Sequence, residues 1–143
     1  MPHKMNHEEI YSFLREIPRT GHLATVREDG RPHVATIWIA VDGGDIVFTT
    51  RETSVKGKNL KRTGYAALSI DDQTPPSAFV ALDGPVTIDE DPKLLLHWAT
   101  VLGGRYMGAD AAEEFGRQNG VKGEVVCRLT PAHLSGMLDV TGS

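Results

Sequence analysis

The sequence has a single cysteine, Cys127, in 143 residues. No intrachain disulfide can form, and a zinc site built from cysteines is excluded. No run of about 18 or more apolar residues exists, so no segment has the length to span a bilayer as a helix. Residues 1–6 lack the apolar core of a secretory signal, and the expected compartment is the cytoplasm. Lys and Arg total 15 against 19 Asp and Glu, a formal net charge of −4. Nucleic-acid binders are usually basic, so that class is not expected either. The motifs H-E-x-x-H, G-x-S-x-G, the P-loop, G-x-G-x-x-G and the EF-hand loop are all missing. Among the histidines only His3 and His7 have a ligand-like spacing, and they fall in a start expected to be mobile. Cys127 alternates with Val125 and Leu129, which reads as a small buried hydrophobe rather than a nucleophile. With no acid–base or nucleophile constellation in view, an enzyme built on this chain needs a cofactor for the hard chemical step.

What is present is one domain, residues 1–143, long enough to bury roughly 68–70% of its unfolded surface without staples. Its charge is uneven. Residues 51–62 carry Arg51, Lys56, Lys58, Lys61 and Arg62 against Glu52 alone, leaving ten positive and 18 negative residues elsewhere. A solvated helix face is one reading of this segment. An anion site is the other, because Ser54 can open a short helix whose N-terminus favours phosphate.

The patterning predicts a mainly β fold with helices inserted. Ile10, Phe13, Leu14 and Ile17 give a helix over 7–17, with Asn6 and Glu9 as a capping box and Pro18 ending it. Residues 21–27 and 33–41 alternate as strands around the turn at Gly30, and 46–50 follows a second turn, making a three-stranded meander. A short helix over 54–62 leads to strands at 65–70 and 78–88. Gly84-Pro85 in the latter suggests a bend at a barrel corner. Asp91 and Pro92 start a helix that Gly103-Gly104 should stop, and 109–118 forms another. Residues 124–129 are the last strand, with a resumption after Pro131 through Leu138 and a frayed tail beyond. Five or six strands with α decoration suggest a small closed β-barrel.

The order of features carries a resemblance. The hairpin reads G-H-L-A-T-V-x-x-D-G-x-P-H-V-A-T-I-W, and the third strand ends in Thr49-Thr50. It is followed by S-V-K-G-K-N-L-K-R, then F-V-A-L-D-G-P-V, then G-R-Y-M-G. Over residues 8–140 the chain resembles the pyridoxamine 5'-phosphate oxidase-like split β-barrel superfamily, the fold also called the FMN-binding split barrel. Within it, the chain most resembles the actinobacterial flavin/deazaflavin oxidoreductases that use coenzyme F420. The resemblance implies a six-stranded split barrel that pairs as a homodimer, with two cofactor sites in grooves between protomers.

It also implies roles. Lys56 and Asn59 match the family's K-x-x-N, with Leu60 after them. Lys56 would neutralise the cofactor phosphate, and Asn59 would hydrogen-bond it or brace the loop. Thr49, Thr50 and Ser54 would add donors. Val34, Thr36, Ile37 and Trp38 match the strand along which the cofactor ring lies. Strand periodicity puts Val34, Thr36 and Trp38 on one face and Ala35, Ile37 and Ile39 on the other. Both are mostly apolar, so a strand covered on both sides is expected. Lys58, Lys61 and Arg62 are surface charge or partners for the anionic tail of F420. The C-terminal Arg/His segment with which longer family members grip a vitamin phosphate is not seen before Ser143, so that substrate is not expected.

The activity implied is reduction of an electron-poor small molecule, such as an enone, a quinone-like compound or a tetrapyrrole, by reduced coenzyme F420. An FMN-dependent oxidase or reductase of the same fold is the alternative. A non-catalytic cofactor carrier or a haem-binding protein, with His22, His33 or His97 as axial ligand, is a third reading.

Overall fold

The computed structural model describes residues 1–142. Helix α1 (His7–Glu16) starts at the expected capping box. The Asn6 side chain accepts from the Glu9 amide at 2.8 Å, and Glu9 accepts from the Asn6 amide at 3.0 Å. The helix stops at Ile17, which is extended (φ −142°, ψ 153°) because the following proline disfavours helical backbone. The Arg105 guanidinium, far along the chain, donates to the carbonyls of Leu14, Arg15 and Ile17 and so satisfies the helix C-terminus.

Strands β2 (Gly21–Val26) and β3 (Pro32–Ile37) form the expected hairpin, with Gly30 at φ 88° in the turn. The meander does not form. After Ile37 the chain leaves the sheet, and it re-enters as β4 (Ala40–Asp42), paired with β5 (Asp45–Arg51) in a second sheet. The break has a visible cause. The Ile39 amide donates to the Tyr106 hydroxyl at 2.9 Å instead of to a strand, and Trp38 stacks on the Tyr106 ring.

The sheet path runs β3-β2-β6-β7-β8-β5-β4, with β6 (Tyr65–Asp72) and β8 (Glu124–Leu129) on either side of the long β7 (Ala78–Asp89). Strand β7 belongs to both sheets. Its first part pairs with β6 and β9 (His133–Leu138), and its last residues, Val86 to Asp89, pair with β8. The change of partner falls at Gly84-Pro85, the expected corner. A Cβ on Gly84 would overlap the Thr130 carbonyl, and Pro85 has no amide to donate while its carbonyl accepts from Thr130 at 3.0 Å. This is the split-barrel fold, mainly β with a few helices. Nine strands are present among the described residues rather than six: residues 33–41 divide in two, 133–138 is a separate strand, and His3–Lys4 forms β1 against β9.

The N-terminus is therefore anchored, with Met5 buried beneath it, and His3 pairs with Glu9 at 3.1 Å rather than with His7. The tail is also held through Thr141: Val140 and Thr141 donate to the carbonyls of Ser77 and Pro76. Ser143, the end of the expected fraying, lies outside the described residues.

Helix α3 (Pro92–Met107) begins at Asp91 and Pro92 as expected but runs through Gly103-Gly104. These glycines face the next helix, not a turn. A Cβ on Gly103 would stand 2.7 Å from Phe115 Cβ, and one on Gly104 3.2 Å from Ala112 Cβ. A 3₁₀ turn at Ala109–Ala111 leads into that partner, α4 (Ala112–Asn119), shorter than expected. The main core fills the barrel with Leu23, Phe48, Ile70, Val80 and Leu129; a second cluster, including Val47, Leu95, Trp98 and Leu102, packs α3 on the outside. Cys127 is buried in the first cluster, and burial pushes its thiol up to about 12. Among the described residues, no helix is long and apolar enough to cross a membrane, and no group of His, Cys, Asp or Glu is arranged to hold a metal.

Candidate functional site

Only three residues separate the end of β5 from helix α2 (Val55–Thr63), so the basic segment is held tightly against the barrel. Ser54 is its N-cap, accepting from the Gly57 amide at 3.0 Å. The same hydroxyl donates to the Arg51 carbonyl at 2.7 Å and lies 3.2 Å from Thr50 Oγ1. A hydroxyl has one proton to give. With that proton on Arg51, the Thr50 hydroxyl must donate to Ser54, and neither has a proton left for a ligand. Thr50 and Ser54 thus fix the helix start.

At the second position of the helix, Lys56 is half-buried in a groove of about 260 Å³. The groove is lined by Thr36, Ile37 and Trp38 at the end of β3, Thr49 on β5, Lys56, and Leu102 and Phe115 from α3 and α4. Five residues expected at a cofactor site therefore meet there, from three separate elements. Among the described residues no carboxylate lies within ion-pair distance of Lys56. Its charge reaches as far as the Cys127 thiol, where it opposes the effect of burial. An unpaired ammonium beside two hydroxyls and four apolar side chains suits an anionic group.

The other expected residues lie elsewhere. Asn59 is buried, 3% exposed; its amide donates to Thr25 Oγ1 at 3.0 Å and its oxygen accepts from Arg62. It braces α2 against β2 and does not face the groove. Leu60 points into the barrel core, because the helix can turn only one face outward. Val34 stands 64% exposed on the open sheet face, where nothing of its own chain lies over it. Ile37 touches the groove only from within the core. The Trp38 ring is parallel to Tyr106 (4.8 Å between centroids, 1° between planes) and packs on Phe115 at 5.4 Å and 32°. Tyr106 therefore occupies one face of the indole.

Leu102 and Phe115 were not visible as groove residues in the sequence. The available signal was a lone aromatic in a polar helix with glycines opposite it. A second cavity, about 520 Å³, lies on the other side of α2, lined by Arg27, Glu28, Asp29, Arg31, Val55, Lys58, Asn59 and Arg62. Asp29 holds Arg31 at 2.8 Å, and Arg62 is engaged by Asn59 and the Val26 carbonyl. The basic segment thus forks, with Lys56 on one side of the helix and Lys58 and Arg62 on the other. Lys61 faces Glu52, Asp89 and Glu90 in a third cavity.

A further polar cluster appears on the outer sheet face. Asp83 Oδ1 lies 2.5 Å from the Tyr65 hydroxyl and 2.8 Å from His133 Nδ1. Both hydrogen bonds hold the Asp83 carboxyl below its ordinary range, Tyr65 first. Three strands supply its members, so no local motif announces it.

Known proteins resemble this arrangement at the level of the chain. The family model described as pyridoxamine 5'-phosphate oxidase matches residues 7–137. The conserved hypothetical protein Rv2991 of Mycobacterium tuberculosis superposes with a TM-score of 0.79 at 28% identity, over 92% of this chain and 84% of its own. An F420 reductase superposes at 0.68 with 29% identity, over 86% and 94%. The haem storage protein HutZ of Vibrio cholerae shares the fold at 0.69 and 18% identity, over 91% and 92%. No curated protein matches the chain.

Proposed function

Because the chain belongs to the pyridoxamine 5'-phosphate oxidase family, we propose that it is an oxidoreductase that uses reduced coenzyme F420 to reduce an electron-poor small molecule. The observation that carries this reading is Lys56, half-buried and without a carboxylate partner, in a groove shared with Thr36, Trp38 and Thr49. That donor set fits a cofactor phosphate. The F420 reductase among the similar structures favours the deazaflavin over FMN. The bound reduced cofactor would supply a hydride.

The chain's own residues do the rest. Lys56 and the threonine hydroxyls hold the anion, and Ile37, Leu102 and Phe115 keep one side of the groove dry. Among the described residues Lys56 is the only titratable side chain lining the groove, and water is the proposed source of the proton that completes the reduction. Arg27 and Lys58, on the other side of α2, are placed for a cofactor's anionic tail. A second copy of the chain completes the site as a homodimer.

Paired titrations of F420 and FMN on the wild type and on Lys56→Ala test this. F420 should bind more tightly, and Lys56→Ala should lose roughly 1.5–3 kcal/mol, the worth of a charge-assisted hydrogen bond. The absorption band of the bound cofactor separates the deazaflavin from the flavin. If neither cofactor binds below millimolar concentration, the proposal fails.

A further inference from the structure

The Lys56 groove is small for a whole deazaflavin or flavin. It holds about 260 Å³, whereas pockets that enclose a ligand of that class run to about 300–1,000 Å³. The anion seat therefore needs further space beside it, and that space opens at Thr36. This residue lines the groove and also stands on the outward side of β3, where His22 of β2 is its direct partner in the hairpin. Directly opposed residues share a face, with Cβ atoms about 4.5–5.5 Å apart, so His22 stands at the mouth of the groove. His22 in turn lines a cavity of about 380 Å³ on the open sheet face. Ala24, Ala67, Ala81 and Ser69 also line it, small side chains that leave room for a flat ring. Groove and cavity adjoin with His22 at the seam.

The groups around this seam narrow what His22 does. The titratable side chains on the same outward face are Tyr65, Asp71, Asp83 and His133, with Lys56 beyond Thr36. Tyr65 and His133 are both bonded to Asp83, at 2.5 and 2.8 Å. Lys56 is the counter-charge of the anion. His22 is exposed, and among the described residues no carboxylate pairs with it. Imidazole is the side chain whose ordinary charge change falls between about pH 5 and 8, so it can give up and regain a proton near neutrality.

We propose that His22 is the general acid of the reduction and carries the proton from water to the acceptor. This inference rests on the reading of the Lys56 groove as the cofactor seat. A conjugated carbon of the acceptor gains a hydride, at the expense of two electrons from the cofactor, and the displaced double-bond pair leaves an enolate anion. The His22 N–H bond breaks as its proton passes to that anion, and water returns a proton to the neutral ring. The acceptor class follows from the acid: an enone or a quinone, whose oxygen takes up charge as the hydride arrives.

The test compares wild type, His22→Gln and His22→Ala. Single-turnover reduction of cyclohexenone is followed on the F420-loaded protein from about pH 5 to 9, across the imidazole range. F420 affinity is titrated separately. The third measurement needs no cofactor: 4-nitrophenolate, whose oxyanion imitates the enolate, is titrated while the His22 ring C–H resonance is followed by NMR. The wild-type rate should fall as pH rises through the imidazole range. Both variants should lose that dependence and be slower at low pH by roughly 10²-fold, and free imidazole should restore His22→Ala. F420 dissociation constants should change less than threefold. 4-Nitrophenolate should shift the His22 resonance and bind at least tenfold more weakly to His22→Ala.

Variants that keep the wild-type rate and pH profile overturn the inference while leaving the cofactor reading intact. An F420 affinity that falls as far as the rate also overturns it, because His22 would then be part of the cofactor seat. A wild type that binds no F420 removes the cofactor reading; the nitrophenolate titration then decides whether His22 faces an oxyanion, and an unmoved resonance overturns that as well. His22 points away from the barrel core, so both variants should keep their circular dichroism and sedimentation. Should either lose them, the wild-type resonance decides.

Discussion

Lys56 and Cys127 show how much the surroundings decide about a residue. The thiol lies in the barrel core with its pKa pushed up to about 12, mainly by burial. At neutral pH it is a hydrophobe. A thiol reagent should leave the native protein unmodified over hours and react once per chain in denaturant; rapid labelling of the native state would contradict the burial. The linkage has a definite sign. Above about pH 9 the unfolded chain loses the thiol proton and the folded one keeps it. This site should therefore lower stability as pH rises from about 9 towards 12, at a limiting slope of about 1.4 kcal/mol per pH unit. Alkaline unfolding of the wild type and Cys127→Ala checks it, and the alanine variant should show the shallower slope.

The K-x-x-N pattern was legible in the sequence, but the division of labour within it was not. Lys56 reaches a groove while Asn59, three residues on, is buried against Thr25. Only the docking angle of the helix settles that. Asn59→Ala leaves the Thr25 hydroxyl without its donor and should cost about 1–3 kcal/mol in chemical denaturation. A loss confined to cofactor affinity, with stability unchanged, would return Asn59 to the ligand.

Elements were easiest to read where the cause is local. The capping box of α1, the turn at Gly30 and the proline start of α3 depend on a few consecutive residues, and they stand where the sequence put them. Errors arose where a distant partner decides. Residues 33–41 look like one strand, but Tyr106 takes the Ile39 amide and splits it. Gly103-Gly104 look like a helix stop, but Phe115 needs the space. Gly57 puts the same conflict into numbers. Replacing a helical glycine by alanine normally gains up to about 1 kcal/mol. Here the new Cβ would press on the Arg51 carbonyl and stand 2.9 Å from that of Glu52, backbone atoms that cannot rotate away. Such overpacking typically costs about 1–3 kcal/mol and outweighs the propensity. Gly57→Ala should therefore lower the melting temperature; a rise would show that α2 can slide on the barrel.

At the scale of the whole molecule, the strand order leaves one broad surface uncovered. The outward positions of β3, β2, β6, β7 and β9 carry no lysine or arginine. A single row across them reads Val34, Ala24, Ala67, Asp83 and His133. Small residues at the centre let another flat surface approach closely, and a face without basic residues has few charges to desolvate. The basic residues of α2 lie off this face, so the charge asymmetry of the sequence and the sheet topology keep the basic segment apart from the open sheet. The homodimer proposed above is expected to form here, because a two-fold interface must match itself and the formal charges at these outward positions are limited to Asp71 and Asp83, the latter already bonded to Tyr65 and His133. Ala67, on the central strand, is the sensitive position. Ala67→Lys places an ammonium at the middle of the contact and opposite its own image near the axis, yet points away from the barrel core. Sedimentation at tens of micromolar should show a dimer for the wild type and a monomer for Ala67→Lys, with far-UV circular dichroism unchanged. If the cofactor groove is completed across the pair, F420 affinity should fall in the same variant although Lys56, Thr36 and Thr49 are untouched. A wild type that sediments as a monomer would remove the dimer. A monomeric Ala67→Lys with full F420 affinity would show instead that one chain holds the whole site.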